Sequence, residues 1–109
     1  MKIAIPTSDR KMIFDRTGQT PLFAIVTVDQ LNITHIEYRP NPPHEHSGSK
    51  HSGGEHSHTE LITLLNDCDL LLVRKIGEYL KAELDAGGIK YEITKAGQIG
   101  SAIHQYLSS

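Results

Sequence analysis

Leu70-Leu71-Leu72-Val73 is the stretch that most restricts what this chain can fold into. A strand of that length with no polar side needs cover on both faces, and such runs belong to parallel sheets sandwiched between helices. The flanking sequence supplies the helices. Before the run, Leu61, Ile62, Leu64 and Leu65 stand at helical spacing, with Ser57 or Thr59 as N-cap; Asp67-Cys68-Asp69 ends that helix. After it, Ile76, Tyr79, Leu80 and Leu84 define one face of a helix stopped by Gly87-Gly88. Ile89 to Thr94 alternates as a last strand, and Gln98 to Leu107 reads as a third helix carrying Ile99, Ala102, Ile103, Tyr106 and Leu107.

The first half is read as strands. Lys2-Ile3-Ala4-Ile5 is a short strand stopped by Pro6. Leu22 to Val28 is rich in β-branched and aromatic residues, and Asp29-Gln30-Leu31-Asn32 turns it into a second strand, Ile33 to Arg39. In that strand Ile33, His35, Glu37 and Arg39 alternate with Thr34, Ile36 and Tyr38, which predicts one wetter face. The order predicts an α/β fold: a mixed sheet of about five strands with helices on both faces, an antiparallel hairpin joined to parallel βαβ units. With 109 residues, one domain spanning 1–109 is expected.

Composition excludes several functions. With a net charge of −2 the surface is not the basic one a general nucleic-acid binder needs, although protonating the seven histidines would carry it to +5. One cysteine, Cys68, allows no intramolecular disulfide and no cysteine-based zinc or iron–sulfur motif. No stretch nears the roughly 18–20 apolar residues that span a bilayer, and the start is too short in apolar residues for a signal peptide. The expectation is a cytoplasmic protein without membrane or nucleic-acid partners, a monomer or weak homodimer.

The polar segment after Pro40-Asn41-Pro42-Pro43 places five histidines, His44, His46, His51, His56 and His58, within fifteen residues of Ser, Gly, Glu and Lys. In extended chain the pairs His44/His46 and His56/His58 each point to one side, so each can chelate one ion. Together they offer a ligand set for zinc, nickel or copper on a loop spanning 40–58. The opposing reading is a polar insertion that collects metal only because it holds imidazoles. A second candidate lies beyond the carboxyl ends of the parallel strands, where open α/β sheets bind ligands. Thr7, Ser8, Arg10, Arg16, Thr17, Gly18, Arg74, Lys75 and Gly77 fall there, a set of cations, hydroxyls and helix-initiating N–H groups suited to an anion. Cys68, beside a buried strand and between two aspartates, is expected to be a structural thiol with a raised pKa. His35 and His104 are isolated and expected at the surface. No acid lies on the first strand, and Asp9, Asp15 and Asp69 form no constellation for two divalent ions, so no enzyme activity is expected.

Several motifs, in order, resemble the dinitrogenase iron–molybdenum cofactor biosynthesis family, which includes NifX-like and NifB carboxyl-terminal-like domains. They are Met1-Lys2-Ile3-Ala4-Ile5-Pro6 and Gly18-Gln19-Thr20-Pro21-Leu22-Phe23-Ala24-Ile25-Val26. Asn41-Pro42 before the His/Gly-rich loop and Ala86-Gly87-Gly88-Ile89-Lys90 complete the pattern. The resemblance runs nearly end to end. It implies a ribonuclease-H-like three-layer fold and a binding or carrier role for an anionic iron–molybdenum type or other metal–sulfur cofactor, with a donor or recipient protein as partner. The site it implies is Arg16, Thr17, Gly18, Arg74, Lys75 and Gly77. Two departures stand out: Arg16-Thr17 replaces the family's His-Phe, and Arg74-Lys75-Ile76-Gly77 replaces Gly-Gly-Ile-Gly. The first removes a candidate ligand; the second exchanges close backbone approach for side-chain charge.

Overall fold

A computed structural model describes residues 1–41 and 62–108. Five strands form one sheet: β1 (Lys2–Thr7), β2 (Leu22–Asp29), β3 (Asn32–Pro40), β4 (Leu70–Val73) and β5 (Tyr91–Ile93). Their spatial order is β3-β2-β1-β4-β5. The β3–β2 and β2–β1 pairs are antiparallel, while β1–β4 and β4–β5 are parallel. Residues 62–64 are helical, and two further helices follow, α1 (Glu78–Gly87) and α2 (Ile99–Ser108). The mixed five-stranded sheet with three helices is the predicted α/β architecture.

The pleat sends alternate residues to opposite sides, and each side has its own cluster. Ile3, Ile5, Val26, Leu70 and Leu72 pack with Ile99, Ala102 and Ile103 of α2. Ala4, Phe23, Ile25, Leu71 and Val73 pack on the other side with Leu65 and with Leu80 and Leu84 of α1. The apolar run of β4 therefore serves both clusters, which is why it has no polar member. In α1 the inward positions are Leu80 and Leu84, one helical turn apart; Tyr79 lies about 100° round the helix from Leu80 and is 83% exposed, so the expectation that it faces the core is corrected.

β1 runs through Pro6 instead of stopping before it. Lys2 exchanges hydrogen bonds with Asp69, its N–H donating to Oδ2 at 2.8 Å and its carbonyl accepting from Asp69 N–H at 2.8 Å. Even-numbered residues of β1 thus turn their backbone groups toward β4, and odd-numbered ones toward β2. Pro6 has no N–H to offer β4. The ladder to β4 accordingly ends at Ala4↔Leu71, while the ladder to β2 continues to Thr7↔Leu22. Pro6 O accepts instead from Phe14 N–H at 2.8 Å. One proline therefore leaves a sheet strand intact on one edge and opens it on the other.

Candidate functional site

The opening made by Pro6 lies between the carboxyl ends of β1 and β4. After β1 the chain returns antiparallel through β2; after β4 it proceeds through α1 to the parallel strand β5. Strand order reverses between them, which makes this the switch-point crevice of the sheet.

The loop leaving β1 is built by short-range hydrogen bonds. Thr7 Oγ1 donates to Met12 O at 2.7 Å and accepts from Arg10 N–H at 3.0 Å. Asp9 Oδ1 accepts from Lys11 and Met12 N–H at 2.9 and 2.8 Å, and these two bonds hold its carboxyl below the usual aspartate range. Ile13 N–H donates to Gly97 O and Ile99 N–H to Lys11 O, which fastens the loop to the start of α2. Arg10 takes a left-handed φ of 71° and lays its guanidinium 4.9 Å from the Tyr38 ring centroid, on the α2 side of the sheet. Thr7 and Arg10 are thus committed to structure, and Ser8 is exposed beside them.

Farther along, Thr17–Gln19 forms a 3₁₀ turn. Thr17 is buried at 2% exposure, and its hydroxyl donates to Lys75 O at 2.8 Å. That bond joins the first loop to the turn after β4. A second link is ionic: Arg74 Nε stands 3.7 Å from Asp15 Oδ1. Arg16 is exposed, its Nη1 reaching Gln19 Oε1 at 3.3 Å. Gly77 is the N-cap of α1 in extended conformation, and no side chain caps that end. Its carbonyl accepts the first helical bond from Lys81 N–H. A side chain added at Gly18 or Gly77 would meet nothing within 4 Å, so both glycines border open space.

Of the predicted residues, Thr17 and Lys75 are joined directly and Arg74 is tied to the first loop through Asp15, while Arg16 turns to Gln19 and no contact joins Gly18 to Gly77. Thr17 is a strut between loops, and the arginines and lysine carry the charge. Three contributors escape sequence reading. Asp15 pairs with Arg74, and Met12 and Gly97 complete the wall: a Cβ on Gly97 would lie 3.5 Å from Met12 Cε and 3.7 Å from Arg74 Nη1. Only Gly97, just ahead of a helix, leaves a trace in the sequence. His44, His46, His51, His56 and His58 lie outside the described residues. Among the described residues no group of three or more His, Cys, Asp or Glu is arranged to hold a metal ion.

Two other grooves lie away from the crevice. One, of about 440 Å³, is lined by Arg10, Tyr38, Ile33, Ile36 and Gln98. The other, of about 1130 Å³, sits at the opposite end of the parallel strands and includes Cys68, Asp69 and Tyr91. Burial, and then the Asp67 charge, push the Cys68 thiol up to about 11, so it is protonated at neutral pH and chemically quiet, as the sequence suggested. His35 and His104 are exposed, as expected. No described helix is long and apolar enough to cross a membrane.

Comparison with known proteins agrees with the architecture. Protein PH0822 has the same fold, with a TM-score of 0.78 at 18% identity over 99% of this chain and 91% of that one. The Methanocaldococcus jannaschii protein MJ0327 superposes with a TM-score of 0.72 at 15% identity, covering 99% of this chain and 88% of its own. The apo form of the orange protein from Desulfovibrio gigas gives 0.68 at 21% identity, covering 98% and 87%. No curated protein matches in sequence. The dinitrogenase iron-molybdenum cofactor family matches over residues 1–109, the whole chain, and this protein belongs to it.

Proposed function

We propose that the protein binds and carries an anionic metal–sulfur cofactor of the iron–molybdenum type, or a precursor of it, and catalyses no reaction. The observation that supports this most is the crevice itself: Thr17 ties two loops together where Pro6 opens the sheet, and those loops carry the exposed cations Arg16, Arg74 and Lys75. The first-turn N–H groups of α1 add donors that no side chain caps. The donor set fits an anion that already carries its own sulfur ligands. It offers charge, N–H groups and open glycines instead of a ring of imidazoles and thiolates. Membership of the family gives the ligand class its chemical identity. The scaffold is read as a ribonuclease-H-like one used for binding, because β1 carries no carboxylate with which to hold catalytic divalent ions. Such a protein needs a partner that supplies the cofactor and one that receives it.

In this reading the cations draw the cluster in, the α1 N–H groups orient it, and the Thr17 strut keeps the two loops at fixed spacing. Anaerobic titration with tetrathiomolybdate, followed by absorption, is the test. Binding is expected to saturate at one equivalent, and Arg74→Ala with Lys75→Ala should weaken it about tenfold at low salt, in line with two charge-assisted contacts. Deleting residues 44–58 should leave that affinity in place. No spectral change with stoichiometric protein would refute the proposal. Binding of zinc, nickel or copper that disappears with residues 44–58, with no thiomolybdate bound, would instead make the histidine segment the site.

A further inference from the structure

Residues 15–18 and 74–78 contain three cations and two acids: Glu78, which begins α1, and Asp15, which is paired with Arg74. Asp15 is not placed at random among them. Its Oδ1 is 3.7 Å from Arg74 Nε, and the same guanidinium reaches the Gly97 side of the crevice opposite Met12. The arginine is left 39% exposed and the aspartate 55%, so the pair is open to exchange from solution. An anion arriving at the α1 N-terminus meets a guanidinium that already has a negative partner.

Resting on the cofactor-binding reading, we infer that Asp15 is a positioning residue that holds Arg74 in the ligand-free site, and that the anionic ligand takes Arg74 from it. Asp15 is the internal stand-in for the ligand's charge. It keeps the guanidinium at the crevice mouth when nothing is bound, and it lowers affinity by competing for it. A weakly held cargo is what a carrier needs if the cargo is to leave again, and Asp15 is ready to recapture Arg74 as it departs.

A double-mutant cycle tests this, with tetrathiomolybdate as probe under anaerobic, low-salt conditions. The proteins are the full chain, Asp15→Asn, Arg74→Ala, their combination, and Asp15→Glu as the charge-conserving control. Asp15→Asn is expected to tighten binding about two- to fivefold, the range of a partly exposed ion pair, and to have almost no effect when Arg74 is already alanine. Asp15→Glu should bind like the starting protein, and thermal melting checks that every variant is folded. In the starting protein the Arg74 Nε–H resonance should move on ligand addition, and in Asp15→Asn it should begin displaced. Equal tightening by Asp15→Asn with and without Arg74 would overturn the inference, since Asp15 would then act on the anion through space alone. Unchanged or weaker binding in Asp15→Asn would overturn it too. Both results leave cofactor binding standing, whereas no binding by the starting protein refutes the parent reading and this one together.

Discussion

Asp67 shows how much one side chain outside the crevice can organise. Its two carboxylate oxygens accept from Arg39 Nη1 and Nη2 at 2.8 Å each, and Lys2 Nζ adds a third contact at 3.1 Å. Arg39 Nε also pairs with Glu37, and Nη1 also reaches Leu64 O, so a β3 side chain holds the 62–67 segment on the second face of the sheet. Arg39 foremost, with Lys2 behind it, keeps the Asp67 carboxyl well below the ordinary carboxylate range. A folded-state pKa below the unfolded value of about 3.9 gives stability that is complete above that pH and is lost as pH falls toward the folded value. Both partners are partly open to water, so the contribution is about 1 kcal/mol, near the top of the range for exposed pairs. Asp67→Asn should therefore lower urea-unfolding stability by about that amount at pH 7, with the gap closing below about pH 4. A gap that persists unchanged to pH 2.5 would show that packing, not charge, is what the substitution disturbs. None of this network is visible in sequence, because it joins positions 2, 37, 39 and 67 that no periodicity relates.

Among the elements, the β2–β3 hairpin departs from ideal chemistry at its turn. Asp29 pairs with Asn32, and the two residues between them, Gln30 and Leu31, have φ of 53° and 74°. Positive φ at both central positions is the requirement of a type I′ turn, for which Asn-Gly is the usual solution. Leucine there sets Cβ against its own backbone, and at 70% exposure it recovers little by packing. Leu31→Gly should raise stability by about 0.5–1 kcal/mol, the steric relief exceeding the added entropy of the unfolded chain. A shift of the urea midpoint upward with unchanged slope is the expected signature; a downward shift would mean that Leu31 contributes packing. The turn was legible in sequence as Asp29 to Asn32, and so was the strand after it, but not the side to which Ile33 points. Thr27 pairs with His35 while Val28 pairs with Ile33, so β3 carries one extra residue, a bulge that moves Ile33 onto the side of Ile36 and Tyr38. Alternation counted along the chain puts Ile33 with His35 and fails there, because a bulge is set by the partner strand. Gly87-Gly88 was legible as a helix stop, though not as two separate needs. Gly88 supplies a left-handed φ of 74°, and Gly87 lets Ile62 approach to 2.9 Å from where a Cβ would stand.

For the molecule as a whole, the reading that succeeded rests on a single physical fact, that a strand apolar at every position must divide its side chains between two cores. Leu70 and Leu72 enter the cluster under α2, and Leu71 and Val73 the one under α1. For the candidate crevice, strand order was legible and marks the switch point, whereas the links made by Thr17 and Asp15 depend on side-chain direction in three dimensions. The two-core arrangement has a measurable consequence. Ile3 and Ile103 share one cluster and are 0% and 1% exposed, while Ile25, at 1%, belongs to the other. Each Ile→Val change should cost about 0.5–1.5 kcal/mol, small enough for pairs to remain folded. Combining Ile103→Val with Ile25→Val, across the sheet, should give additive losses within about 0.5 kcal/mol. Combining Ile103→Val with Ile3→Val should fall short of additivity or exceed it, since the two vacancies border the same repacking side chains. Every variant should still unfold in one transition, because β1 and β4 belong to both clusters and neither core can be lost while the shared strands stay paired. Separate transitions for the two sides, or coupling across the sheet as strong as within one cluster, would contradict a pair of cores joined through their strands.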